Sequence, residues 1–208
     1  VLSRPGFLSR AAALLDVGGA AVALHVRGPG TPGGTLLELV RSLRAPARAS
    51  GSLLVVNDRV DVALAAGADG AHLGARSLPL ADARRIFGAQ GGLGVSVHTV
   101  AEGGEAAAAG ADWIFAGTIW ETASHPGRPG QGPGLVAAAV RAAAAAGAAI
   151  PVLAIGGVTP ERVGEALTAG AAGVAVIRGI WDATDPTGAL LGYLEAFDAH
   201  DGNHGTQP

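Results

Sequence analysis

Short apolar runs alternate with helical patterns along most of the chain. The runs with the length and composition of buried strands are residues 21–26, 53–56, 70–73, 93–96, 113–116, 152–155 and 174–177. A helical pattern at residues 7–15 precedes the first run. Strands that are apolar on both faces and separated by helices are typical of a parallel sheet covered by helices. The pattern therefore predicts an α/β fold.

A repeated turn makes this prediction more specific. Segments 66–70, 109–113 and 169–173 each place Ala-Gly-Ala between a helix and the next strand, and Gly suits the left-handed residue that closes a helix. Such repetition favours a single TIM (β/α)8-type barrel over residues 1–197. Seven strands are recognisable, so we expect the first barrel strand to lie upstream of Val1. We expect the polar, glycine-rich residues 198–208 to be disordered.

Composition narrows the possible functions. The chain has 208 residues, no cysteine and a formal charge of −3, and all 14 basic residues are arginine. These absences exclude disulfides, thiol nucleophiles, cysteine metal sites and a lysine Schiff base. The charge gives no reason to expect nucleic acid or a membrane as partner, and we expect neither a signal peptide nor a membrane span. A cytoplasmic protein with a small-molecule ligand is the resulting expectation; association into a homo-oligomer is left open.

Residues 156–159, which we call the glycine turn, are the strongest candidate for ligand binding. An apolar run ends there in Gly156 and Gly157, and Thr159 with Pro160 is typical of the start of a helix. Free amides at a helix start favour an anion, and the next strand end adds Ile177 and Arg178 as further donors. The pattern predicts a phosphate site, although an ordinary turn between strand and helix is the alternative.

Five ordered motifs carry a resemblance to a known family. They are Asn-Asp-Arg-Val-Asp at 57–61 and the glycine-containing segments at 67–74, 94–99, 111–117 and 155–159. Over residues 21–181 the chain resembles the thiamine phosphate synthase/TenI family. The resemblance implies a TIM barrel that binds thiazole phosphate at the carboxyl ends of its strands. The family contains synthases, which join a pyrimidine diphosphate to thiazole phosphate, and TenI-type proteins, some of which are thiazole tautomerases.

The synthase pattern is only partly retained. Asp58 matches a Mg²⁺ ligand and Asn57 its neighbour, but Ser77 stands where the second metal carboxylate is expected. The family's pyrimidine and diphosphate segment aligns with His25 and Arg27, and its lysine there is replaced by proline. Because charged contacts to the diphosphate are lost, we expect weak synthase activity, with Mg²⁺ as the cofactor if the chain is a synthase.

A TenI-like thiazole tautomerase, which needs no cofactor, is therefore the main hypothesis. Proton transfer near neutral pH favours histidine as the acid or base. The histidine position of TenI-type proteins is Thr118 here, so we assign catalysis to His125 on the following loop, with Glu121 orienting the ligand. The remaining predicted substrate-binding residues are Ser96, Thr118, Thr122 and Ser124. A working synthase and a non-catalytic protein that binds a phosphorylated ligand are the alternatives.

Overall fold

The computed structural model describes residues 2, 4–89, 91–122, 127 and 129–204. The chain divides into two compact units, Val1–Val95 and Ser96–Pro208. Helices and strands alternate in both units, as the hydrophobic pattern predicts. Within the described residues, no helix is both long enough and apolar enough to cross a membrane.

The first unit contains parallel strands in chain order. The strands are β1 (Ala23–Val26), β2 (Leu53–Asn57), β3 (Gly70–Leu73) and β4 (Gly92–Val97), the last of which ends in the second unit. Each strand pairs in parallel with the next. The helices are α1 (Phe7–Gly18), α2 (Gly33–Ser50), α3 (Val60–Ala66) and α4 (Leu80–Phe87), with a short 3-10 helix at Gly19–Ala21. All four residues of β3 are buried, as expected of a strand covered on both faces.

The second unit repeats this arrangement. Its strands are β5 (Trp113–Gly117), β6 (Val152–Ile155) and β7 (Gly173–Ala175), again paired in parallel in chain order. Its helices are α5 (Val100–Ala108), α6 (Gly134–Ala145), α7 (Pro160–Thr168), α8 (Arg178–Trp181) and α9 (Pro186–His204).

The repeated helix-ending turns have the conformation predicted for them. Gly67, Gly110 and Gly170 have φ angles of 64°, 84° and 92°. Side chains rarely adopt these angles, which explains the glycine at each position.

Helices α5 and α6 approach closely because small residues face each other. A Cβ atom added at Gly103 would lie 3.3 Å from the Cβ of Ala139, and one added at Gly104 would lie 3.7 Å from the Cβ of Ala142. The start of α5 is fixed by Thr99, whose hydroxyl accepts a hydrogen bond from the amide of Glu102.

Two predicted boundaries are wrong. The last strand ends at Ala175 instead of 177, because Ile177 and Arg178 turn into α8. Helix α9 continues to His204, whereas we expected disorder from residue 198. Residues 198–201 contain no helix-breaking residue, and the Gly that follows costs a helix only about 1 kcal/mol, so polarity alone does not end α9. The single domain and the upstream first strand remain predictions.

Candidate functional site

The glycine turn has a backbone that only glycine fits. Gly156 and Gly157 have φ angles of 97° and 66°. A Cβ atom at Gly156 would lie 2.5 Å from Cγ2 of Thr118, and one at Gly157 would lie 2.6 Å from the carbonyl oxygen of Glu121. Real Cβ atoms do not approach so closely. The turn is therefore pressed against the segment that follows β5.

Backbone hydrogen bonds join that segment to the glycine turn. The amide of Ile119 donates to the carbonyl of Ile155 at 3.0 Å, and the amide of Trp120 donates to the carbonyl of Gly156 at 3.0 Å. These bonds hold the segment after β5 beside the end of β6.

Two side chains bind the remaining carbonyls of the turn. Arg162 Nη1 donates to the carbonyl of Gly157 at 2.7 Å, and the Tyr193 hydroxyl donates to the carbonyl of Val158 at 3.0 Å. In a trans peptide unit the C=O and the following N–H point in opposite directions. The amides of Val158 and Thr159 therefore point away from these donors.

The start of α7 follows the prediction in position only. Thr159 is extended and Pro160 is the first helical residue, as expected. Among the described residues, however, the Thr159 hydroxyl does not accept from an α7 amide; its hydrogen bond is with the exposed Glu161 side chain. Thr159 thus does not cap the amides at the helix start.

The end of β7 brings two predicted residues together. Arg178 is exposed at the start of α8, and its Nη2 donates to Thr122 Oγ1 at 3.1 Å. Ile177 beside it is 46% exposed. The guanidinium is thus held at the segment after β5, where Thr118 and Glu121 also lie; the Glu121 side chain is exposed.

The end of β4 contributes a second set of contacts. Ser96 is half-buried there. His98 Nδ1 is 2.6 Å from the carbonyl oxygen of Gly117. Gln131 donates from Nε2 to the carbonyl of His98 at 2.9 Å and from its amide to the carbonyl of Thr118 at 3.0 Å. Gln131 thereby joins the backbone after β4 to the backbone after β5.

In the first unit, Asp58 and Ser77 lie in contact. The Ser77 hydroxyl donates to Asp58 Oδ1 at 2.5 Å, and the amide of Gly74 donates to Ser77 Oγ at 2.9 Å. Asp58 has a φ of 63°, which is uncommon for a residue other than glycine. Backbone strain of this kind persists where the surroundings require it, often at functional sites.

The donor set of this pair fits Mg²⁺. Carboxylate and hydroxyl oxygens are hard ligands, and Mg²⁺ commonly takes one or two carboxylates together with substrate phosphates. The hydroxyl proton of Ser77 points towards Asp58, which leaves an oxygen lone pair for a metal. Within the part of the chain that the structure describes, no group of three or more His, Asp or Glu side chains could hold a metal by itself.

His25 and Asn57 form the other contact among predicted residues of this unit. Their side chains are hydrogen-bonded, and the His25 ring meets the His72 ring edge to face at 5.7 Å between centroids. Burial lowers the pKa of His25 to about 4, although the bond to Asn57 opposes this effect. Burial is the main cause that lowers the pKa of His72 to about 3, and the charge of His25 is the smaller one. Both imidazoles are therefore neutral at physiological pH.

Three predicted site residues remain. Arg27 follows β1 and is exposed. Ser124 and His125 lie outside the described residues, so the assignment of catalysis to His125 stays a prediction.

Sequence reasoning missed Arg162 and Tyr193. Tyr193 lies on α9 and nothing in its local sequence points to the glycine turn. Arg162 carried a signal, because a basic residue in the first turn of a helix lies at the positive end of the helix dipole. It is the third residue of α7.

The comparisons with known proteins agree with the motifs. The family model described as thiamine monophosphate synthase matches residues 4–180. The chain belongs to this family.

Individual relatives are similarly named. The chain is 41% identical over 177 residues to a thiamine-phosphate synthase of Methanoculleus marisnigri, covering 85% of this chain and 82% of that protein. It is 46% identical over 161 residues to a thiamine biosynthesis bifunctional protein of Symbiobacterium thermophilum, covering 76% of this chain and 32% of that longer protein.

A solved structure gives the fold. Thiamine phosphate pyrophosphorylase from Pyrococcus furiosus matches 95% of this chain and 91% of its own, with a TM-score of 0.83 and 30% identity. The α/β fold with parallel strands is therefore that of this structure, and the TIM-type architecture is consistent with it.

Proposed function

We propose that this chain is a thiamine phosphate synthase, which joins hydroxymethylpyrimidine diphosphate to thiazole phosphate and releases pyrophosphate. The observation that carries the proposal is the 41% identity over 177 residues to a protein named thiamine-phosphate synthase. This similarity favours the synthase over the tautomerase as the main hypothesis.

The reaction needs two phosphorylated substrates to be held. The ring nitrogen of the thiazole forms a bond to the methylene carbon of the pyrimidine, the bond from that carbon to the diphosphate oxygen breaks, and its electron pair leaves with pyrophosphate. We assign the thiazole phosphate to the amides of the glycine turn and to Arg178. Oriented amides and a guanidinium are suited to a phosphate group.

The first unit supplies groups suited to the diphosphate substrate. Asp58 and Ser77 would hold Mg²⁺, which stabilises the negative charge of departing pyrophosphate. Arg27 would add a cation for the phosphates. His25, kept neutral and hydrogen-bonded to Asn57, would offer the pyrimidine ring a polar contact without a competing positive charge.

One observation favours a second candidate, the TenI-like tautomerase. Ser77 replaces an acid, so the Asp58–Ser77 pair carries one negative charge where the synthase pattern has two. The tautomerase requires no metal, which fits a weakened metal site. Its support is otherwise narrower, because it depends on His125 and because Thr118 has no group that titrates near neutral pH.

Measuring pyrophosphate release separates the candidates. The purified chain is incubated with both substrates, with Mg²⁺ or with a chelator, and thiamine phosphate and pyrophosphate are quantified. A synthase forms both products in equal amounts and only with Mg²⁺, and Asp58→Asn greatly slows the reaction. Metal-independent isomerisation of the thiazole substrate without pyrophosphate would instead identify the tautomerase, and neither product would support a binding protein.

A further inference from the structure

The position of Arg162 runs against the usual placement of charge in a helix. It is the third residue of α7, where the helix dipole disfavours a cation. Departures from local sequence rules often occur at functional sites. The contacts of Arg162 show what its side chain does there.

The half-buried guanidinium makes two different contacts. Its Nη1 donates to the carbonyl of Gly157 at 2.7 Å, and its Cζ lies 5.4 Å from the ring centroid of Trp120. The second contact is within the range of a cation–π interaction. Arg162 therefore contacts both the glycine turn and the ring of Trp120 in the segment after β5.

These contacts determine where the amide of Val158 points. That amide belongs to the same peptide unit as the Gly157 carbonyl, so fixing the carbonyl fixes the amide in the opposite direction. Trp120 also donates to the carbonyl of Gly156, so holding its ring steadies the preceding peptide unit as well. One side chain thus orients two successive peptide units of the turn.

We propose that Arg162 is a positioning residue for phosphate binding: it orients the amides of the glycine turn and adds a positive charge close to them. This inference rests on the assignment of the thiazole phosphate to the glycine turn under the proposed function. Arg162 acts through the backbone, so its loss weakens phosphate binding more than it slows the chemical step.

The geometry also predicts that lysine replaces arginine incompletely. Lysine keeps the charge and one donor for the Gly157 carbonyl, but it has no flat face to lie against Trp120. Arg162→Gln removes the charge, and its donor nitrogen is two bonds closer to Cα than Nη1, so it also weakens the hydrogen bond to the Gly157 carbonyl. Arg141→Gln on α6 is the matched control, because it removes the charge of an exposed arginine elsewhere in the same unit.

The experiment compares binding of inorganic phosphate, followed by phosphorus NMR titration, in the unmodified chain and the three variants. We expect Arg162→Gln to weaken phosphate binding about tenfold or more, Arg162→Lys to weaken it less, and Arg141→Gln to leave it unchanged. In the synthase assay, KM for thiazole phosphate should rise most in Arg162→Gln, less in Arg162→Lys and not in Arg141→Gln, while kcat changes little.

Each result bears on a different part of the argument. Unchanged phosphate binding in Arg162→Gln would overturn the positioning role. If Arg162→Gln does not fold, Arg162→Lys decides: native-like phosphate affinity and KM in that variant would show that the contact with Trp120 has no part in positioning. Failure of the unmodified chain to bind phosphate would overturn the assignment of phosphate to the glycine turn and the role of Arg162 with it, whereas the product assay decides the synthase. Phosphate binding that depends on Arg162 without thiamine phosphate formation would retain the inference and reject the synthase.

Discussion

Ser77 determines how much negative charge the predicted metal site offers. Its hydroxyl and the Asp58 carboxylate lie 2.5 Å apart, so the pair presents two oxygen ligands with a single formal charge. The attraction between a divalent cation and its ligands depends on that charge. A chain with serine here should therefore bind Mg²⁺ through the substrate's phosphates more than through its own side chains.

Ser77→Asp tests this interpretation. We expect the affinity for Mg²⁺, measured by calorimetry with pyrophosphate present, to rise about tenfold, which corresponds to about 1.4 kcal/mol. Without metal, two neighbouring carboxylates repel each other, so the melting temperature should fall. Ser77→Asn is the control, because it adds an oxygen ligand of similar size without a charge. Equal affinities in all three proteins would show that Ser77 is not near the bound ion.

Gly157→Ala tests how tightly the glycine turn is packed. The added methyl would meet the Glu121 carbonyl and the Cβ of Trp120 at 2.6 and 2.8 Å. We expect a loss of unfolding free energy of about 1–3 kcal/mol from this overlap, in addition to the cost of a positive φ.

The control is Gly147→Ala. Gly147 has a φ of 78°, but no atom lies within 4 Å of an added Cβ. It should lose only the conformational cost, about 1–2 kcal/mol. Urea unfolding measures both changes, and equal losses would mean that the segment after β5 yields to the methyl group.

Between elements, the contact of α5 with α6 offers a stabilising change. A Cβ at Gly104 would make an ordinary contact at 3.7 Å, whereas one at Gly103 would lie 3.3 Å from Ala139. Replacing a helical glycine by alanine restricts the unfolded chain, so Gly104→Ala should stabilise the fold by about 0.5–1 kcal/mol. Gly103→Ala should gain less or lose stability, because α6 must move. Thermal unfolding of the pair checks this, and an equal gain would contradict the close packing.

The order of elements was predictable because a strand that is buried on both faces requires a continuous run of apolar residues. Each of the seven apolar runs contains a strand, and the three Ala-Gly-Ala turns have the expected positive φ values. The ends were less predictable. Whether Ile177 continues a strand or enters a helix depends on tertiary contacts, which a local pattern does not contain.

The residues of the site were predictable only where they lie in short sequence motifs. The glycine turn and Asp58 stand in motifs, and the structure finds positive φ angles at both. The contacts of Arg162 with Gly157 and of Tyr193 with Val158 join residues whose pairing no periodicity encodes. Tyr193 is 35 residues from its acceptor, so only the folded chain reveals this bond.

For the whole molecule, the half-buried His25 and the buried His72 predict acid sensitivity. The pKa values of His25 and His72 fall from 6.5 to about 4 and about 3. Below pH 6.5 the unfolded chain takes up protons that the folded chain does not, so stability is full above this pH and is lost as pH falls. Each histidine contributes at most about 1.4 kcal/mol per pH unit over that window.

His72→Gln isolates this effect. The melting temperature of the unmodified chain should fall between about pH 7 and about pH 4.5, and the variant should show a smaller fall because one of the two groups is gone. Carboxyl groups titrate in the same range, but they are common to both proteins. His200→Gln on α9 is the control and should keep the full fall. An unchanged pH dependence in His72→Gln would mean that other groups govern acid unfolding.

The carbonyls of the glycine turn are bound by donors from three other parts of the second unit: the segment after β5, the first turn of α7, and α9. The turn is thus preorganised, since its conformational entropy is lost when the chain folds and not when a ligand arrives. A phosphate group that binds there must give up its own hydration, but it does not have to order the loop. Most of the favourable free energy of the contact is then available for affinity.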